Sequence, residues 1–145
     1  MSAGRICVRT VQVASPQESV RDAARRMREA DVGTLIVVDA ERRPLGVVTD
    51  RDVVLRCVAE GRDPDATAVA AVMTGPAACV GEATAIEEAL RRMAAASARR
   101  LVVTDDEGRL AGILALDDVL DLLIEESEAI GRLLRRRPRT AGPDA

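Results

Sequence analysis

The sequence contains no Phe, Tyr, Trp or His, and all 21 of its basic residues are arginine. Without an aromatic ring, any bound base must be held by aliphatic side chains and backbone. Without His, the usual proton shuttle and the commonest metal ligand are gone. With Lys and Tyr also missing, a general base would have to be Asp or Glu. No two such carboxylates are paired with a nucleophile in the sequence, so an enzyme is not expected. Cysteine is scarce: Cys7, Cys57 and Cys79 lie far apart, form no C-x-x-C pair and have no His partners. That pattern argues against zinc. Apolar neighbours and an odd count point to buried, reduced thiols in a cytoplasmic protein. No apolar run is long enough to span a bilayer, and the N-terminus has no apolar signal run.

What remains is aliphatic and charged. Of the 145 residues, 48% are apolar and 31% charged, as in a folded globular chain. That length suits one ordinary domain or two very small ones. The net charge of −3 exerts no global pull toward nucleic acid or acidic lipid. The core must come from Val, Leu, Ile, Ala and Met.

Along the chain, Val11 to Ala14 reads as a short strand, and Ser15 to Ser19 as a turn with a helix cap. Val20, Ala23, Ala24 and Met27 fall at helical spacing, and Gly33 is read as the end of that helix. Leu35 to Val38 is a strand, Asp39 to Pro44 a turn and Leu45 to Val48 a strand. A helix follows from about Asp50 to Glu60, and Gly61 to Asp65 is a linker. The pattern then begins again. Gly46 and Gly112, Met27 and Met93, Asp39 and Asp105, Arg43 and Arg109, and Asp52 and Asp118 all stand 66 residues apart. This is an internal duplication, each copy reading β-α-β-β-α. Two such small units are expected to share a core that neither could build alone.

The most informative stretch is Gly46-Val47-Val48-Thr49-Asp50-Arg51-Asp52-Val53. It reads as a buried strand running straight into a helix. Thr49 and Asp52 then sit at the helix N-terminus, which can hold a phosphate. A carboxylate three residues after the hydroxyl can also accept from the hydroxyls of a sugar. An ordinary capped helix gives the same local pattern.

The duplicated strand, acidic turn and Gly-apolar-apolar-Thr-x-x-Asp resemble cystathionine-β-synthase (CBS) domains. Val72-Met73-Thr74 resembles the family's V-M-T segment, and Arg99 to Val103 resembles its R-R-L-P-V, with Val102 in place of Pro. The resemblance covers roughly residues 5 to 125. It implies an α+β fold of two tandem β-α-β-β-α CBS repeats packed as a pseudo-two-fold pair. The repeats are bounded as 5–62 and 69–126, with residues 127–145 forming a C-terminal helix extension and basic tail.

The resemblance further implies a stand-alone regulatory module that senses cellular energy by binding AMP, ADP, ATP or S-adenosylmethionine in clefts between the repeats. In the first cleft, Thr49 would contact phosphate and Asp52 the ribose. Ala77 and Ala78 would border adenine, Arg99 or Arg100 would reach phosphate, and Val47 and Val102 would line the pocket. A second, weaker cleft would comprise Val11, Gln12, Thr34, Ile36 and Asp118. There Ala115 replaces the Thr, and Gly33 and Thr34 stand in for the two arginines.

A homodimer is expected, with apolar faces around Val20, Met27, Leu90, Met93 and the last helix as its surfaces. That helix continues the stripe of Leu116, Val119, Leu120, Leu123 and Ile124, and Ile130, Leu133 and Leu134 can extend it past Gly131. Arg135 to Arg139 is either a contact for nucleic acid or an acidic partner, or a set of cations suited to a helix C-terminus. The regulated partner is not legible.

Overall fold

The computed structural model describes residues 1–136. After a short helix, α1 (Ala3–Ile6), the first repeat runs β1 (Val13–Ala14), α2 (Val20–Ala30), β2 (Thr34–Val38), β3 (Pro44–Thr49) and α3 (Asp50–Val53). A 3-10 turn, Val69–Ala71, opens the second repeat. There follow β4 (Cys79–Gly81), α4 (Ile86–Ala96), β5 (Arg100–Thr104), β6 (Leu110–Ala115) and α5 (Leu116–Arg135). Each repeat carries a three-stranded sheet, ordered β1-β2-β3 or β4-β5-β6. In both, the first pair is parallel and the second antiparallel.

The duplication extends to individual bonds. In the first turn, Asp39 Oδ1 accepts from the backbone N–H of Glu41 and of Arg43, each at 2.9 Å. In the second, Asp105 Oδ1 accepts from Glu107 and Arg109 at the same distances. Such Asx turns fix the β2–β3 and β5–β6 corners. The Arg109 N–H, with that of Glu107, holds the Asp105 carboxyl below the usual carboxylate range.

The two repeats exchange their leading segments. Val8 pairs with Ile113 of β6 through two backbone hydrogen bonds of 2.8 and 3.0 Å. Its counterpart 66 residues on, Thr74, pairs with Val47 of β3 through two bonds of 2.8 Å. Ala3 and Cys7 accordingly pack with Val80, Ile86, Met93 and Leu114 of the second repeat. Val69 and Val72 pack with Val20, Met27, Val37 and Val48 of the first. A third apolar cluster joins the sheets themselves, through Ile36, Val38, Val102 and Leu110. This reciprocity is the pseudo-two-fold relation seen in three dimensions.

Four sequence readings are corrected. The α2 helix ends at Ala30 with Asp31 in the left-handed conformation (φ 53°), not at Gly33. The third helix is α-helical only to Val53; a π turn, Val54–Val58, continues it. There Ala59 N–H bonds Val54 O and Arg62 N–H bonds Cys57 O, both at 2.9 Å and five residues back. Cys7 and Cys57 are buried as expected, but Cys79 is only half-buried; all three are free thiols. Burial raises the Cys7 and Cys79 thiols above their ordinary range. Finally, Val20, Met27 and Met93 belong to the internal core and offer no outer surface. Gly131 does not interrupt α5. Exposed apolar side chains are Leu120, Leu123, Ile124, Ile130, Leu133 and Leu134 of α5 and, on another element, Val54, Leu55 and Val58 of the π turn. Residues 137–139 of the basic run lie outside the described residues.

Candidate functional site

At the end of β3, Thr49 takes an extended conformation and the chain turns into α3. The Thr49 Oγ1 accepts from Asp52 N–H at 3.1 Å, and Asp52 Oδ2 accepts from Thr49 N–H at 3.0 Å. This capping box satisfies two donors and locks both side chains. The other Asp52 oxygen, Oδ1, accepts from Thr74 Oγ1 at 3.4 Å and lies 3.9 Å from Arg56 Nε. Both are long contacts, so Oδ1 keeps acceptor capacity.

The second repeat lacks half of this device. Asp118 Oδ2 accepts from Ala115 N–H at 3.3 Å, but Ala115 has no side-chain acceptor to return the bond. Thr49→Ala is therefore expected to cost about 1 kcal/mol of stability, and Ala115→Thr to add a comparable amount. Urea unfolding of the two variants checks both signs.

An open cleft of about 680 Å³ lies between the repeats. Such a volume is within the range of small-molecule sites. Val47, Thr49, Ala77, Ala78, Arg99, Arg100 and Val102 all line it. Asp52 does not form its wall; it stands behind Thr49 and Thr74, which do. Its side chain remains 12% exposed.

The residues grouped as a second cleft do not share one cavity. Thr34 and Ile36 line the main cleft. Val11 and Gln12 line a separate groove, together with the ion-paired Arg26 and Glu18. Asp118 lines neither, and its Oδ2 accepts from Ala115 N–H at 3.3 Å. The physical reason is the position of the main cleft across the pseudo-two-fold axis. Thr34, Ile36, Val47 and Thr49 meet their own counterparts Arg100, Val102, Ile113 and Ala115 there. Sequence reasoning missed Ile113, Thr74, Pro76 and Asp117, which also line it. The offset of 66 could have supplied Ile113, the counterpart of Val47.

The charges at this cleft are arginines opposed by one carboxylate. Arg99 Nη2 lies 3.4 Å from Asp117 Oδ1, and both side chains are 76% exposed. Arg100 is exposed and makes no side-chain hydrogen bond or ion pair among the described residues. The β5 backbone is fixed around them: Val102 N–H bonds Ala78 O at 2.9 Å, and Leu116 N–H bonds Arg99 O at 2.8 Å. A largely apolar cleft with guanidinium groups at its edge can take a flat heterocycle and an attached phosphate. Among the described residues no cluster of His, Cys, Asp or Glu could hold a metal ion, and no helix is long and apolar enough to cross a membrane.

Comparison with known proteins agrees with this architecture. The sequence profile of the CBS domain matches residues 3–58 and 69–125. An uncharacterized protein of Methanopyrus kandleri, MK0525, is 34% identical over 122 residues, spanning 84% of this chain and 62% of the relative. The chain thus spans less than two thirds of that relative's length. Among solved structures, CBSX2 in complex with AMP superposes with a TM-score of 0.73 at 28% identity, covering 87% of this chain and 98% of that one. The cytosolic domain of the Mg2+ channel MgtE in complex with ATP gives 0.73 at 32% identity, covering 83% and 48%. Two profile matches, two exchanged β-α-β-β-α repeats and these superpositions have one meaning: the chain belongs to the CBS-domain family, as a CBS domain pair.

Proposed function

We propose that the protein is a regulatory module that binds one adenosine-containing ligand in the cleft between its repeats. The observation that carries this reading is the lining: Thr49 of one repeat faces Ala77, Ala78, Arg99 and Arg100 of the other. Adenine rests against Ala77, Ala78, Val47 and Val102. The ribose hydroxyls reach Asp52 Oδ1, and phosphate takes Thr49 and Arg100. AMP in CBSX2 and ATP in the MgtE domain make adenine nucleotides the first candidates. ADP and S-adenosylmethionine are the others.

The ligand touches both repeats, so it biases their arrangement if it binds one arrangement better than another. That change is the signal, and its level follows nucleotide supply. The role in this reading is regulation rather than turnover. The functional units follow the sequence boundaries 5–62 and 69–126, with 127–145 as an extension.

A melting screen with adenosine, AMP, ADP, ATP and S-adenosylmethionine tests the reading. A ligand present at a hundred times its Kd stabilises the fold by about 2.7 kcal/mol. The preferred nucleotide should therefore raise Tm by several degrees without being consumed. If none of the five shifts the melt, the module is a scaffold whose function lies in its protein contacts.

The exposed apolar side chains of α5 are the surface for a second copy. Sedimentation should show a dimer that Leu123→Glu weakens. A monomer at all concentrations would contradict this.

A further inference from the structure

We propose that Asp117 is a specificity-determining residue that makes the cleft select one phosphate over three. The inference rests on the adenine-nucleotide reading above. Asp117 and Arg99 both line the cleft, with charged atoms 3.4 Å apart. Both side chains are 76% exposed, so the pair holds no core together and contributes little to folding. Its effect falls on whatever enters the cleft.

A phosphate oxygen bonded to Arg99 at about 3 Å would lie roughly 6 Å from the Asp117 carboxylate. That is inside the Debye length of about 8 Å at physiological salt, so the repulsion is felt. Asp117 is also anchored: it belongs to the first turn of α5, whose Leu116 N–H bonds Arg99 O at 2.8 Å. The counterpart of Asp117 in the first repeat is Arg51, so duplication alone would have placed a cation here. With Arg99 neutralised by its partner, Arg100 is the cation left for the first phosphate. Each further phosphoryl group adds about one negative charge near the Asp117 carboxylate, and no further cation among the described residues lines the cleft to receive it. The cleft should thus accept a nucleoside monophosphate and disfavour the triphosphate.

Calorimetry with AMP and ATP tests this, using the wild type and Asp117→Asn in metal-free, low-salt buffer. Asn removes the charge and keeps a residue suited to a helix start. The wild type should bind AMP more tightly than ATP. The substitution should tighten ATP about ten-fold and change AMP by less than about three-fold. Added salt should narrow the wild-type difference. Equal changes for both nucleotides, or no change for ATP, would overturn the inference while leaving the nucleotide site standing. No heat from either nucleotide with either protein would overturn the nucleotide reading and the inference together.

Discussion

Gly46→Ala is expected to lower stability by about 2–3 kcal/mol, or roughly 6–10 °C in Tm, and to loosen the two repeats. A Cβ at this position would sit deep inside van der Waals contact with Thr74 O and 3.2 Å from Gly75 Cα. Both obstacles are backbone, so neither can rotate away. Thr74 O is also the acceptor for Val47 N–H at 2.8 Å, one of the two bonds that stitch the second repeat's leading segment onto β3. A methyl group must either break that bridge or push β3 outward into the buried cluster around Val48. Gly112→Ala should behave alike, because its Cβ would meet Val8 O at 2.6 Å. Gly61→Ala is the control. Gly61 has φ +68° with nothing within 4 Å of an added Cβ, so it should lose only the left-handed preference, about 1 kcal/mol. Thermal and urea unfolding of the three variants gives the comparison. Equal losses would show that the segments yield around the added methyl and that the close approach of the repeats does not fix Gly46 and Gly112.

Arg100→Ala should reduce AMP affinity at least ten-fold and flatten the differences among adenosine, AMP and ATP. Arg100 is exposed at the cleft and has no partner among the described residues, so its removal leaves the fold intact. Asp52→Ala should also weaken binding, by roughly 1.5–3 kcal/mol, through loss of the ribose contact. It removes half of a capping box as well, so Asp52→Asn is the cleaner companion. Asp118→Ala should leave affinity nearly unchanged, because Ala115 beside it offers no hydroxyl to a phosphate, whereas Asp52 bonds Thr49 and Thr74 of the cleft. Equal losses for Asp52→Ala and Asp118→Ala would remove the asymmetry between the repeats.

The secondary structure and the duplication were legible because the aliphatic runs are short, clearly bounded and repeated at one offset. β2 and β3 begin and end within a residue of the sequence reading. The α1 helix was not legible: Ala3–Ile6 is too short to show a period. The exchange of leading segments was also hidden. Apolar residues such as Val69 and Val72 announce burial, but a sequence does not say in which repeat they are buried. The same holds for the cleft. Thr49, Ala77, Ala78 and Arg100 were found through the family resemblance, and the structure brings them to one cavity. Thr34 and Ile36 stand 66 residues before Arg100 and Val102, so the resemblance places them in a separate second cleft. In three dimensions they meet their counterparts across the axis. Asp117 is not legible in the sequence as a cleft residue, because a carboxylate does not match a phosphate-contact pattern.

If one nucleotide sits between the repeats and touches both, a crystal structure grown with saturating AMP will hold one AMP per chain, with adenine against Ala77 and Ala78, ribose at Asp52 and phosphate at Thr49 and Arg100. An empty cleft at saturating AMP, or AMP bound in the Val11 and Gln12 groove instead, would contradict it.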